Sequence, residues 1–161
     1  MIDFTRGFTL FPRVARAALI SSTALSLCVT PALAATKVGV ASAVIPQASI
    51  GDTLEDLKIV AVGDEIEQDV IVQTGPRGRT QVLFVDGSSM NIGPSSRLVI
   101  DSFVFDPEQL DGKISARIEK GSMRFIGGVL SKRAGQVSFN AGEATVGIRG
   151  GIAKVALDET G

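Results

Sequence analysis

The segment that decides the fold runs from Thr74 to Pro107 and reads TGPRGRTQVLFVDGSSMNIGPSSRLVIDSFVFDP. Asp86-Gly87 lies between two short apolar runs, 81–85 and 90–92. This dipeptide is typical of two-residue type I′ turns, in which both residues adopt a positive φ. The pattern therefore predicts an antiparallel β-hairpin that reverses at Asp86-Gly87.

The same pattern predicts where the side chains of the hairpin lie. Counting outward from the turn puts Leu83, Val85 and Met90 on one face. Val82 and Phe84 then fall on the other face, so both faces of the first strand are apolar. Strands of this kind are buried on both sides, and we expect this one to lie inside a layered β structure.

The rest of the chain alternates short apolar segments with breaks that contain Gly, Pro or Asp. This spacing predicts an all-β fold, a two-layer β-sandwich or roll of antiparallel strands. The predicted strands are 58–62, 67–73, 79–85, 88–92, 97–105, 113–119, 122–126, 136–140, 144–148 and 152–157. Ahead of them, 35–49 is interpreted as an edge strand or lead-in, because Pro46 interrupts it, and 51–57 as a short helical turn.

Several short motifs follow one another in a fixed order: Gly63-Asp64, Thr74-Gly75, Asp86-Gly87-Ser88, Gly93-Pro94-Ser95-Ser96, the block 121–128 and the block 144–150. In this order and spacing they resemble the FecR domain family, from Val38 to Leu157. The resemblance implies the extracytoplasmic part of a regulator that senses a signal from an outer-membrane transporter and controls a sigma factor. We expect structural roles for these motif residues: Asp64, Thr74, Gly75, Asp86, Gly87, Ser88, Gly93, Pro94, Asp101, Arg149 and Gly150.

The N-terminus has the three parts of a secretory signal. Arginines at 6, 13 and 16 precede the apolar run 17–29, and Ala32-Leu33-Ala34 supplies a small-x-small cleavage site. We expect a signal peptide over 1–34, with an uncleaved N-terminal anchor as the alternative, and one domain over 35–161. Cys28 lies in the apolar run and follows Leu27, which does not suit lipoprotein processing.

Composition limits the chemistry and the partners of the mature part. Removing three arginines and Asp3 from 16 basic and 17 acidic residues leaves 13 and 16, so nucleic acid is not an expected partner. The chain has no His, Tyr or Trp, and its one Cys lies in the signal segment. This inventory argues against His-dependent nucleophiles, common zinc sites and haem ligation, so we expect no enzyme and no cofactor.

Carboxylates are densest just after Gly63-Asp64. Glu65, Glu67 and Asp69 would lie on one side of a strand, where their oxygens are weak candidates for calcium ligands. A solvated outer face is the favoured interpretation, since the segment lacks the glycine spacing of a dedicated calcium loop. A glycosidase pair is disfavoured, because no aromatic platform accompanies the carboxylates.

Two charged residues lie in less ordinary surroundings. Asp101 follows an apolar run, and if buried it must accept hydrogen bonds, from a neighbouring turn or from Arg97 or Arg124. Arg149 lies among glycines, and we expect it to bind a carboxylate of its own domain, with a partner's carboxylate as the alternative.

The resemblance and the N-terminus together limit the function. Only sixteen residues precede the apolar run, whereas the regulator has a cytoplasmic segment before its membrane helix. The first hypothesis is therefore a periplasmic or secreted interaction or signalling module with a protein partner in the envelope. The alternative is a structural or adhesive envelope protein that assembles through β-edges. Membrane association is expected only if the signal segment remains attached.

The last predicted strand, Ile152–Leu157, is a candidate partner edge. Similar domains usually continue with at least one more strand, so either this sequence is a fragment that lacks the last strands of the domain or the fold ends early. Val155 and its alternate neighbours give this segment an apolar face, and its unpaired backbone favours strand addition or self-association. A covered edge is the other outcome, with 37–44 as the covering segment.

Overall fold

The structure, a computed structural model, describes residues 36–157, and their regular structure is almost entirely β. The strands are β1 (Lys37–Ile45), β2 (Ala48–Gly51), β3 (Lys58–Ile59), β4 (Glu65–Glu67), β5 (Ile71–Thr74), β6 (Arg79–Phe84), β7 (Ser89–Ile92), β8 (Arg97–Asp106), β9 (Asp111–Ile126), β10 (Val137–Ala141), β11 (Ala144–Ile148) and β12 (Ile152–Leu157). One 3₁₀ turn covers Leu130–Lys132. Within 36–157 no helix is long and apolar enough to cross a membrane. The predicted signal segment 1–34 lies outside the described residues.

Strand β9 joins the two layers of the fold. Its first part, 111–120, pairs with β8 and β10, and its second part, 121–126, pairs with β7 and β12. The front layer has the order β4-β1-β6-β7-β9-β12, and the back layer has the order β3-β2-β5-β8-β9-β10-β11. The predicted all-β roll is thus confirmed as a sheet curled on itself.

The predicted antiparallel pairing holds except at one place. Strand β10 pairs with β9 in parallel, with Val137 opposite Ile114, and β11 then returns antiparallel to β10. A parallel pair requires a crossover connection. Residues 127–136 form that crossover and are called the strap below, because they carry the chain from the end of β9 back beside its beginning.

The core lies between the layers and is held by two aromatic pairs. Phe84 of the front layer stacks on Phe103 of the back layer, with ring centroids 5.3 Å apart. Phe125 and Phe139 meet edge to face at 5.0 Å. All four rings are at most 3% exposed, so the predicted packing role of these phenylalanines is confirmed.

The hairpin forms where the sequence predicts it, but with a different turn. The amide of Phe84 donates to the carbonyl of Ser88 at 2.9 Å, and the amide of Gly87 donates to the carbonyl of Phe84 at 3.0 Å. Gly87 has φ +80°, whereas Asp86 is not among the residues with positive φ. This is a three-residue loop, a type I turn followed by a left-handed glycine. The prediction of a two-residue type I′ turn is therefore wrong.

The extra loop residue changes the pairing register by one position. Met90 lies opposite Val82 instead of Leu83, and so it joins the buried face. Val82 is 1% exposed, whereas Leu83 is 42% and Val85 54% exposed. Strand β6 is thus buried on one face only, and the predicted burial of both faces is wrong because Leu83 lies on the exposed face of the sheet. The one-residue slip exchanges the faces of β7, which places Met90 in the core.

Other predicted boundaries change where the backbone turns. The predicted strand 67–73 is interrupted at Asp69, which has φ +61°, and becomes β4 and β5. The predicted strands 113–119 and 122–126 are one strand, because Gly121 bends the backbone with φ +83° without ending it. Strand 58–62 shortens to β3, and 51–57 contains no helix.

The segment 35–49 is not an edge strand. Strand β1 lies between β4 and β6, and Pro46 falls in the bend that precedes β2, where no ladder donor is needed. Gly39 allows this interior position, since a Cβ there would lie 2.3 Å from the carbonyl oxygen of Leu83.

The register predicts that substitutions at adjacent residues of β6 lower the free energy of unfolding by very different amounts. Phe84→Ala removes a buried ring that stacks on Phe103, and we expect it to lower the free energy of unfolding by about 3–5 kcal/mol. Leu83→Ala is the matched control on the exposed face and should cost less than about 1 kcal/mol. Urea denaturation measures both; equal losses would show that the strand is buried on both faces.

Candidate functional site

Asp86 is a buried structural node and not a solvent-exposed site. Its carboxylate accepts the amide and the hydroxyl of Ser88 at 3.0 and 2.5 Å, and the amide of Leu130 at 3.2 Å. Its carbonyl accepts the amide of Val129 at 3.0 Å. Gly128 is needed here, since a Cβ would lie 2.3 Å from the amide nitrogen of Ser88. The Asp-Gly-Ser turn therefore fastens the strap to the front layer.

The strap is fastened at its other side by the glycines before β12. The amide of Gly150 donates to the carbonyl of Ser131 at 2.5 Å, and the amide of Gly127 donates to the carbonyl of Gly151 at 2.9 Å. Gly150 and Gly151 both have positive φ. The block 144–150 and the block 121–128, far apart in sequence, thus meet at the strap.

A second node joins Thr74 to the Gly-Pro-Ser-Ser motif. The Thr74 hydroxyl donates to the carbonyl of Gly93 at 2.6 Å and accepts the amide of Ser96 at 3.0 Å. The Ser96 hydroxyl accepts the amide of Ser122 at 2.9 Å, just after the bend in β9. Gly75 accepts the amide of Ser95 at 2.9 Å. These contacts hold both parts of β9 at the bend.

The fold does not bring the weak calcium candidates Glu65, Glu67 and Asp69 together into one site. Asp64 caps its own turn by accepting the amide of Ala61 at 2.8 Å, and Glu65 forms an ion pair with Lys37 at 2.5 Å. Asp69 lies in the following turn, where its amide donates to the carbonyl of Ile100. Within residues 36–157 there is no group of three or more His, Cys, Asp or Glu side chains that could hold a metal ion.

Asp101 does face an arginine, but a different one from those predicted. Its carboxylate lies 3.1 Å from Arg117, which also lies 3.7 Å from Glu119. Arg97 instead donates to the side chain of Gln73 at 2.9 Å, because the two face each other across β5 and β8. Burial raises the pKa of Asp101 above its usual 3.8; Arg117 opposes the increase, whereas Asp69 and Glu119 add to it.

Arg149 is exposed, and it makes no ion pair with any residue of 36–157. It follows the last residue of β11 and precedes the two left-handed glycines at 150 and 151. Asp158 and Glu159 lie outside the described residues, so the expected contact with a carboxylate of its own domain stays a prediction.

Strand β12 pairs with β9 along one side, and no strand of the described residues pairs with its other side. Val155 is buried, and Ala153 and Leu157 are half-buried, as the predicted apolar face requires. The segment 37–44 does not cover this edge, because β1 lies between β4 and β6.

The outer face of the front layer carries a groove of about 570 Å³. One cross-strand row crosses it, with direct pairs from Ala43 to Gln81, Asn91, Arg124 and Lys154. Arg79, opposite Ile45, lies at the next outward position of β6, and Gly93-Pro94 closes one side. We call this the cationic groove. No Asp or Glu of the described residues lines it.

A second row on the same face is apolar. Val40 lies opposite Leu83, and beyond Ser89 the row continues through Ile126 to Ile152. Leu83, Ile126 and Ile152 are 42%, 36% and 59% exposed. This apolar row, as we call it, runs beside the cationic groove and ends at the unpaired edge of β12.

Sequence reasoning missed the cationic groove. It considered Arg124 only as a possible partner for Asp101. The groove residues are contributed by five strands between residues 43 and 154, and only the pairing register places them in one row. The available sequence signal is weak: polar residues at the outward positions of strands that are otherwise apolar.

Comparison with known proteins agrees with the motif order. The family model described as FecR protein matches residues 70–161, more than half of the chain. The chain therefore belongs to the FecR family. The match begins after Gly63-Asp64, although β1–β4, ahead of it, are part of the same layers. No curated protein and no solved structure shows detectable similarity to the chain.

The hydrogen bonds that the buried Asp86 carboxylate accepts predict that removing it destabilises the fold. Asp86→Ala leaves the amides of Ser88 and Leu130 without their acceptor, and we expect a loss of about 1–3 kcal/mol in the free energy of unfolding. Asp106→Ala is the matched control, because Asp106 caps two amides on an exposed turn where water replaces it. Hydrogen exchange should accelerate at Leu130 in the first variant only. Unchanged exchange at Leu130 would contradict the node.

The raised pKa of Asp101 predicts a pH effect. The folded state holds a proton on Asp101 at pH values just above 3.8, where the unfolded state has lost it. Stability from this group therefore falls as the pH rises through that range, and Asp101→Asn should gain stability relative to the parent as the pH rises above 3.8. Carboxyl NMR titration of Arg117→Gln checks the cause: the Asp101 midpoint should rise further. A midpoint that falls would contradict it.

Proposed function

We propose that this chain is a non-enzymatic, extracytoplasmic interaction module of the bacterial envelope that binds a protein partner through the outer face of its front layer. Membership of the FecR family supports a regulatory rather than a catalytic role. The residue inventory supports it too, because the chain contains no histidine and its one cysteine lies in the signal segment. The signal pattern of residues 1–34 supports export.

One observation carries the choice of surface. The apolar row is exposed and continues to an unpaired strand edge, a combination that marks protein interaction sites. The outer face of the back layer differs, since its central row carries the Asp101–Arg117–Glu119 ion pairs and the Thr145–Asn140 hydrogen bond. These charged and polar groups have their partners within the domain, so the front layer is the better partner surface.

Photo-crosslinking in cells tests the proposal. A photoreactive amino acid replaces Ile152, and a matched variant replaces Val104, which is equally exposed at 59% but lies on β8 in the back layer. We expect an adduct with a different protein at position 152 and none at 104. N-terminal sequencing of the exported chain should begin at Ala35. Equal adducts at both positions, or none at either, would contradict the proposal.

The second candidate is a structural or adhesive protein that assembles through strand edges. It is favoured by the edge of β12 and by β11, which pairs only with β10 among the described strands. Edges of this kind are templates for strand addition. Here the adduct at position 152 would have twice the mass of the chain, and light scattering would show association that grows with concentration.

A further inference from the structure

The cationic groove holds like charges in an unfavourable arrangement. Arg124 and Lys154 lie directly opposite each other on adjacent strands, where Cβ atoms are roughly 5 Å apart and like charges are destabilising. Arg79 adds a third cation two strands from Arg124. None of the three makes an ion pair with a residue of 36–157.

Outside the groove, three cations of the described residues form ion pairs, whereas others, such as Lys58 and Arg149, form none with residues 36–157. Arg117 lies between Asp101 and Glu119, Lys37 pairs with Glu65, and Arg133 pairs with Asp111. The mature part has more acidic than basic residues, so carboxylates are not scarce. The groove differs from the rest of the surface because, among the described residues, three unpaired cations, two of them directly opposite each other, line one concavity that has no carboxylate, an arrangement that indicates an external anion.

We propose that the cationic groove binds a carboxylate-bearing segment of a protein partner, an inference that rests on the proposed function and names the chemistry of its partner. Arg124 and Lys154 together hold one carboxylate, and Arg79 holds a second. The free side-chain amides of Gln81 and Asn91 lie between them and offer both donors and acceptors to a peptide backbone.

The geometry sets the spacing of the acidic residues in this segment. Adjacent strands lie about 4.8 Å apart, so Arg79 is roughly 12 Å from the Arg124 and Lys154 pair. An extended peptide rises about 3.4 Å per residue. Two acidic residues separated by about three or four positions would therefore reach both ends of the groove.

A peptide fits this surface better than the other anions of an envelope. The lining of the groove contains no aromatic side chain on which a sugar ring could stack. The groove is concave, whereas a bilayer is flat. The neighbouring apolar row, with Leu83 and Ile126 exposed, suits the apolar side chains of a polypeptide beside its carboxylates.

NMR titration with a defined probe tests the inference. Hexaglutamate is added to the ¹⁵N-labelled chain up to millimolar concentration, and hexaglutamine is added in parallel. We expect saturable shift changes centred on 79–81, 91–94, 122–124 and 154 with hexaglutamate alone, weakened by salt. Absent shifts, equal shifts with hexaglutamine, or shifts spread over all exposed lysines would overturn the inference.

Matched variants separate the groove from net charge. Arg124→Glu with Lys154→Glu should weaken hexaglutamate binding at least tenfold. Lys58→Glu with Lys113→Glu changes the net charge equally at exposed positions away from the groove, and should change affinity less than twofold. Arg124→Gln with Lys154→Gln should also lose binding without charge reversal. Equal losses in the two Glu variants would overturn the inference.

Two further probes decide the class of ligand. Trigalacturonate carries carboxylates on sugars, and phosphatidylglycerol vesicles carry anionic lipid. Tighter binding of either at the same amides would overturn the assignment to a peptide. The proposed function is tested separately. An adduct with a different protein at position 152, together with no hexaglutamate binding, would support the interaction module and overturn only the assignment of the cationic groove.

Discussion

The fold depends on the bend at Gly121, which lets one strand belong to both layers. The residue has φ +83°, and the space of its missing Cβ is occupied by Ser96, whose hydroxyl oxygen would lie 2.3 Å away. That hydroxyl accepts the amide of Ser122, so the atoms that forbid a side chain at 121 also hold the bend. With the strand continuous, 16 residues connect the two sheets without an open corner, and the aromatic pairs can close the core between them.

The buried carboxylate of Asp86 has a comparable role at the crossover. A parallel strand beside β9 requires the strap, and the strap is connecting backbone whose amides need acceptors. Asp86 accepts hydrogen bonds from the amides of Leu130 and Val129. Within its own turn, its carboxylate also accepts hydrogen bonds from the amide and the hydroxyl of Ser88. The motifs through which the chain resembles its family therefore mainly form hydrogen bonds that hold the strap and the bend of β9 in place.

The outer faces of the two layers differ in how their charged side chains are paired. On the back layer, Arg117 forms ion pairs with Asp101 and Glu119. On the front layer, Arg124 and Lys154 repel each other across adjacent strands, and an apolar row runs beside them to an unpaired edge. This unfavourable arrangement of charges is the observation on which the proposed ligand of the front layer rests.

The sequence alone determined the all-β class, the positions of most strands and the packing of the phenylalanines, because alternation and turn residues are local signals. It also determined the family, through the order of its glycine-containing motifs. It did not determine the register. One additional loop residue at Val85–Gly87 moved Met90 to the core and left Leu83 in solvent, since the side-chain period of a strand is two. Tertiary structure likewise chose Arg117 over Arg97 or Arg124 for Asp101, placed β1 in the interior, and assembled the cationic groove from five strands distant in sequence. Each of these depends on which residues lie opposite each other, and that is fixed by packing the whole sheet.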